Sequence, residues 1–175
     1  MKILAVTALS LCTLSVANAG SGITKSEVVD AQKSWGNAIV AIGKAYTDKG
    51  DYVAEAQKTL DTLYNYKNGT VLFKPTLAAN KQFRETPKNA LSYFVKGVEK
   101  EDHGFAIKPW SKVRFESAGI ITDSDSAVAM GNYFFTVAGT DDEVKVEYTF
   151  GYVKDSKGNL RINVHHSSLP YSPAK

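Results

Sequence analysis

Val144-Lys145-Val146-Glu147-Tyr148-Thr149-Phe150-Gly151-Tyr152 sets large apolar side chains against Lys145, Glu147, Thr149 and Gly151 in strict alternation. Successive side chains of a strand point to opposite faces, so this stretch reads as a half-buried strand with Val144, Val146, Tyr148, Phe150 and Tyr152 turned to a core. Outward from it, Gly139 to Asp142 forms a turn, preceded by a strand over 127–137 rich in Tyr and Phe. Asp123-Ser124-Asp125-Ser126 is a hairpin turn, and a strand over 113–121 comes before it with Val113, Phe115 and Ser117 on one face. On the other side, Asp155-Ser156-Lys157-Gly158-Asn159 turns the chain into a last strand, Leu160-Arg161-Ile162-Asn163-Val164-His165-His166-Ser167-Ser168. The result is an antiparallel meander of about four strands.

The first half is helical. Thr24-Lys25-Ser26-Glu27 has the form of a capping box, in which a threonine hydroxyl and a glutamate three residues on satisfy free amides. Val28, Ala31, Trp35, Ala38, Ile39, Ile42 and Tyr46 then recur at helical spacing. Asp51 caps a second helix with Val53, Ala56, Leu60, Leu63 and Tyr64 on its stripe, ended by Asn68-Gly69. Val71-Leu72-Phe73 is a short strand stopped by Pro75. Thr86-Pro87 opens a third helix, with Ala90, Leu91, Phe94, Val95 and Val98 as its core face. Helices followed by a meander predict an α+β fold, the helices packed on one face of a strongly bent, mainly antiparallel sheet. Such a sheet leaves a conical pocket between the layers.

Residues 1–19 carry Lys2, an apolar run and Ala17-Asn18-Ala19 before Gly20. This predicts a signal peptide cleaved after Ala19, a periplasmic or secreted protein with no membrane span after cleavage, and one domain over 20–175. The only cysteine, Cys12, lies in that leader. The mature chain therefore has no disulfide, thiolate nucleophile or cysteine ligand. The net charge of +3 is spread through interspersed acids and bases, without the basic stripe of a nucleic-acid binder.

By the two-residue period, His166 and Ser168 continue the apolar face of Leu160, Ile162 and Val164, as one wall of a pocket. His165 and Ser167 fall on the other face, toward a dimer partner. The mature histidines are His103, His165 and His166, without the spacing of a zinc site, so neither metal nor cofactor is expected. No serine sits in the glycine-framed elbow of a nucleophile. What remains is a set of hydroxyls near strand ends and helix faces: Thr76, Ser92, Tyr93, Tyr133, Tyr148, Thr149 and Ser168. With His166 they could hold a small polar molecule or position a water.

A string of motifs adds to this. Val71-Leu72-Phe73-Lys74-Pro75-Thr76, Gln82-Phe83-Arg84, Ser92-Tyr93-Phe94, Gly104-Phe105-Ala106-Ile107, Pro109-Trp110, Val113-Arg114-Phe115, Ala129-Met130-Gly131-Asn132-Tyr133 and Val146 to Tyr152 resemble the iota-class carbonic anhydrases. His165-His166-Ser167-Ser168-Leu169-Pro170 is similar to the end of kinase association domains in the same nuclear-transport-factor-2-like, cystatin-like superfold. The resemblance implies a conical α+β domain, a homodimer, and reversible hydration of carbon dioxide to bicarbonate, without a metal in the bacterial type. It carries the family's threonine, tyrosine and serine onto Thr76, Tyr93 and Ser168, with His166 beside them. Phe83, Phe94, Phe134, Tyr133 and Tyr148 are the expected substrate-binding walls, and Tyr93 or His166 the expected proton acceptor. The rival readings are another small-pocket enzyme of the same superfold, such as an isomerase or cyclase, and a non-enzymatic ligand-binding or oligomer-hub module.

Overall fold

The computed structural model describes residues 22–173; the leader over 1–19 lies outside the described residues. Helix α1 (Lys25–Thr47) starts at the capping box: Thr24 Oγ1 accepts from the Glu27 amide, and the Glu27 carboxylate accepts from the Thr24 amide. Helix α2 (Tyr52–Leu63) is capped by Asp51, which accepts from the Ala54 amide. Strand β1 (Leu72–Lys74) and helix α3 (Pro87–Val95) follow. Thr86 caps α3 and Pro87 opens it, as its φ and missing N–H favour. The helix stops at Val95, so Val98 lies beyond its end and is exposed rather than part of a core face.

Strands β2 (Trp110–Thr122), β3 (Ser126–Val137), β4 (Glu143–Lys154) and β5 (Leu160–Ser168) form the meander. The sheet order is β1-β5-β4-β3-β2, every pair antiparallel except β1 with β5. It is a mixed, open, five-stranded sheet with the helices on one face. Trp35 of α1 is the hub of that layer. Its indole stacks on Tyr133 at 5.6 Å and meets Phe150 at 5.5 Å and His165 at 5.4 Å. Gly36 beside it brings the helix backbone close to β2, where a Cβ would stand 3.1 Å from Val113 Cβ.

The β4–β5 ladder contains one irregularity that decides the site. Tyr152 pairs with Ile162, but Gly151 pairs with Val164, so Asn163 is an extra residue on β5. A bulge of one residue reverses which face every later side chain takes. Ile162 faces the core, and beyond the bulge it is His165 and Ser167 that face it, 2% and 3% exposed. His166 is exposed and Ser168 turns to the outer face, where its hydroxyl donates to Glu147 at 2.8 Å. The alternation expected for β5 is thus inverted past Asn163. Gly151 makes this possible: a Cβ there would lie 2.8 Å from Val164 Cβ and 2.9 Å from the Asn163 side-chain oxygen.

Candidate active site

A half-open chamber of about 440 Å³ lies between the sheet, α3 and the loop after β1. Thr76, Leu77, Tyr93, Phe105, Trp110, Phe135, Val146 and Leu169 line it, with His103 and Lys108 among the residues around it. The chamber is mostly apolar, and its hydroxyls come from Tyr46 of α1, Thr76 of the loop after β1 and Tyr93 of α3.

Tyr93 owes its place to the short, well-capped α3. Its ring stacks on Phe105 at 5.7 Å and meets Phe73 edge-on at 6.0 Å. Its oxygen receives a long hydrogen bond, 3.4 Å, from the Leu77 amide, and the Thr76 hydroxyl is beside it. Burial pushes its pKa up to about 12, against smaller opposing effects of the Leu77 amide and the Thr76 hydroxyl. The phenol therefore stays protonated near neutral pH and keeps a proton available to donate. A phenol that holds its proton is poorly matched to the expected role of proton acceptor, and His166, the other expected acceptor, is exposed on the outer face of β5.

Tyr133 packs on the lining residue Phe135 at 4.7 Å, and Tyr133 and Ser167 hydrogen-bond to each other behind that lining. Ser167 Oγ also meets His165 Nε2 at 3.1 Å. His165 is stacked on Phe73 at 4.6 Å and packed against Phe150 at 4.3 Å. Burial, reinforced by His166, drives its pKa down to about 3, so the ring is neutral near pH 7. Burial likewise pushes the Tyr133 phenol far up, with Ser167 opposing.

The expected site residues therefore divide. Thr76 and Tyr93 share the chamber, and Tyr133 adjoins it. Tyr148 is buried, but its hydroxyl is committed elsewhere: it accepts from Gln32 Nε2 at 3.1 Å and meets Ser117 Oγ at 2.8 Å. Phe94 is fully buried among Tyr64 and Phe73, away from the chamber lining. Phe134 faces outward under the Arg114 guanidinium, 4.0 Å from its ring centre. Phe83 is 57% exposed and meets His166 in a separate groove with Leu72, Lys74 and Val164. Ser92 supports the loop after α3 by accepting from the Glu99 amide. Ser167 and His165 are the inward polar groups that strict alternation missed, and Tyr64, read only as part of the apolar stripe of α2, is a third. Among the described residues no group of three or more His, Cys, Asp or Glu is arranged to hold a metal ion.

The loop that carries Thr76 is fastened by one carboxylate. Glu101 accepts from the amides of Ala79, Asn80 and Lys81 at 2.9, 2.8 and 2.9 Å. These amides hold its pKa below the usual carboxylate range, chiefly through Asn80 and Ala79. A depressed carboxylate stabilises the fold above its unfolded pKa and loses that contribution as pH falls through the folded value. Acidification below the ordinary carboxylate range should therefore loosen this loop first. Amide exchange at Ala79, Asn80 and Lys81 should accelerate before exchange in β3 and β4, and Glu101→Gln should show the same pattern at neutral pH.

The family model described as metal-independent carbonic anhydrase matches residues 26–169. The chain belongs to this family. A metal-independent carbonic anhydrase of Nostoc sp. is 47% identical over 158 residues, covering 85% of this chain and 75% of that relative. The crystal structure of a cyanobacterial iota-carbonic anhydrase complexed with bicarbonate superposes with a TM-score of 0.84 at 41% identity. It covers 93% of this chain and 100% of that one. An NTF2-like protein of Novosphingobium aromaticivorans with a cystatin-like fold shares the architecture alone, with a TM-score of 0.54 at 11% identity over 86% of this chain and 84% of that one. The chain is thus a carbonic anhydrase on a nuclear-transport-factor-2-like fold, and the reading as a non-enzymatic module gives way.

Proposed function

We propose that this carbonic anhydrase hydrates carbon dioxide in the chamber behind Leu77 and Leu169, with Thr76, Tyr93 and Ser167 as its hydroxyl donors. The observation that carries the reading is Tyr93: a buried phenol kept protonated beside the Thr76 hydroxyl, with a long contact from the Leu77 amide, on the wall of a mostly apolar chamber. Carbon dioxide has no charge and suits walls such as Phe105, Phe135 and Val146. Water attacks its carbon, one proton leaves through the half-open mouth to solvent, and negative charge grows on the former carbon dioxide oxygens. Donors fixed in advance and aimed at that charge are worth more in a dry chamber than in water. The bicarbonate bound to the iota-class relative has the size and charge such donors suit.

The two neighbouring serines test the assignment. Ser167→Ala should lower kcat/KM for carbon dioxide hydration about tenfold, less than a full donor loss because the Tyr133 hydroxyl stands beside it. Ser168→Ala should stay within about twofold, since Ser168 bonds Glu147 on the outer face. The reverse order of effects would remove Ser167 from the site.

Two further readings belong to this proposal. The leader ending at Ala19 directs the chain to the periplasm or the exterior, and two copies pair through the outer sheet face. The second is supported by Ile121, Val128 and Met130, which are 75%, 45% and 56% exposed on β2 and β3. Mass analysis of the exported protein checks both: a chain beginning at Gly20 and a particle of two chains are expected. A monomer that retains residues 1–19 would contradict both.

A further inference from the structure

Ser167 is the near end of a line of hydrogen bonds running away from the chamber through residues closed to solvent. Ser167 Oγ meets His165 Nε2 at 3.1 Å, His165 Nδ1 meets the Tyr64 hydroxyl at 2.8 Å, and Trp35 Nε1 meets the same hydroxyl at 2.9 Å. Trp35, Tyr64 and His165 are 1%, 1% and 2% exposed.

The far end of this line has only one sense. An indole N–H donates and cannot accept, so the Tyr64 oxygen accepts from Trp35. Tyr64 is left with one proton of its own. Among the described residues His165 Nδ1 is the only other group in hydrogen-bond contact with that hydroxyl, and a buried hydroxyl proton goes to an acceptor. Nδ1 therefore carries no hydrogen. The ring is neutral, so its single N–H is on Nε2 and points at Ser167. Phe73 stacks on the ring with the planes 8° apart and Phe150 packs against it, which holds the ring plane in line with its two hydrogen-bond partners. Ser167 Oγ must then accept from His165, and its own proton is left for the Tyr133 oxygen or the chamber.

We propose that Trp35, Tyr64 and His165 are positioning residues that lock His165 as the Nε2–H tautomer and so fix the direction of the Ser167 hydroxyl. Ser167 becomes an acceptor on its core side, and its single proton is directed toward the Tyr133 oxygen or the chamber. The opposite tautomer would let Ser167 donate to His165 and turn lone pairs toward oxygens that are gaining negative charge. The tautomer is thus a device for keeping the serine–tyrosine pair polarised in the sense the reaction needs. The proposal rests on the assignment of Ser167 to the site.

Long-range proton–nitrogen NMR of histidine-labelled full-length protein reads the tautomer directly. Nε2–H with an unprotonated Nδ1 is expected for His165; Nδ1–H would overturn the proposal. Two substitutions then separate position from bulk. In His165→Gln the amide nitrogen reaches the place of Nε2 and still donates to Ser167. In His165→Asn the side-chain oxygen replaces Nδ1 as the acceptor from Tyr64, and nothing donates to Ser167. His165→Asn should lose about tenfold more kcat than His165→Gln, with similar KM, because a misdirected donor fails in the transition state. Equal losses in two variants of matched thermal stability would overturn the proposal. Where either variant fails to fold, the tautomer of the unaltered protein decides. An unaffected Ser167→Ala would sink the serine assignment instead, a result independent of the NMR spectrum.

Discussion

Tyr93→Phe should lower kcat/KM for carbon dioxide hydration about 10²- to 10³-fold, the cost of removing one preorganised donor to a developing oxyanion, about 2.7 to 4 kcal/mol. The argument begins in sequence. Thr86 and Pro87 start α3 sharply, the Thr86 hydroxyl accepting from the Asn89 amide at 3.2 Å. Seven positions after Thr86, Tyr93 meets the chamber. Its ring is held between Phe105 and Phe73, so the hydroxyl has little freedom to leave its line of action. Phenylalanine fills the same slot, and thermal stability should change little. Burial keeps the phenol protonated up to about pH 12. No decline in activity from Tyr93 ionisation is therefore expected across the physiological range. The loss should fall in kcat rather than KM, because the donor meets full charge only as bicarbonate forms. Stopped-flow hydration in chelator-treated buffer measures it. A variant within about threefold of the parent would show that this hydroxyl is not a transition-state donor.

The layer order was readable because each helix announces its start and the strands of the meander announce their faces. Thr24 with Glu27, Asp51, and Thr86 with Pro87 all act as the local chemistry predicts. The inward face of β4, from Val146 through Tyr152, is buried as its alternation requires. The parallel pairing of β1 with β5 was not readable, since three residues of strand do not specify a partner 92 positions away in the chain. The site was half readable. Thr76 and Tyr93 meet as their motifs imply, but the serine and histidine of β5 do not, because face assignment by counting fails at a bulge. A signal was present in Gly151: a lone glycine inside an otherwise regular strand marks a bulge or a close approach of backbones. That glycine stands on β4, however, while the extra residue, Asn163, is on β5, so it marks the crowded spot without giving the new phase of His165 and Ser167. Tyr64 was hidden for a different reason. It completes an apolar helical stripe, yet it stands at the C-cap of α2 with its ring in the core and its hydroxyl in a polar line. Periodicity reports where a residue is buried; it does not report what its hydroxyl finds there.

The largest expected effect on stability is at Arg84, which lies outside the chamber lining and is fully buried. Its Nη2 donates to Asp102 Oδ1 at 2.6 Å and approaches Glu101 at 3.4 Å, while its Nε and Nη1 find no partner among the described residues. The Arg84 backbone joins the same corner, its amide bonding the Phe73 carbonyl and its carbonyl accepting from the Tyr66 hydroxyl. Arg84→Met should cost about 3 to 5 kcal/mol of folding stability, because it leaves the Asp102 carboxylate buried without its cation. Asp102 shows the tension already: burial raises its pKa, and Ser92 and Arg84 only partly restrain it. A carboxylate whose folded pKa is raised binds its proton more tightly when folded, so stability falls as pH rises through that range. In Arg84→Met the rise should be larger, and the variant should regain stability relative to the parent as the pH is lowered. Adding Asp102→Leu should recover much of the loss at neutral pH, because a buried pair replaced by apolar groups is often close to neutral. Urea unfolding of the two variants at pH 7, and of the single variant at acid pH, gives the answer. A single variant as stable as the parent, or a double variant no better than the single one, would show that the Arg84–Asp102 charge pair does not govern the stability of this corner.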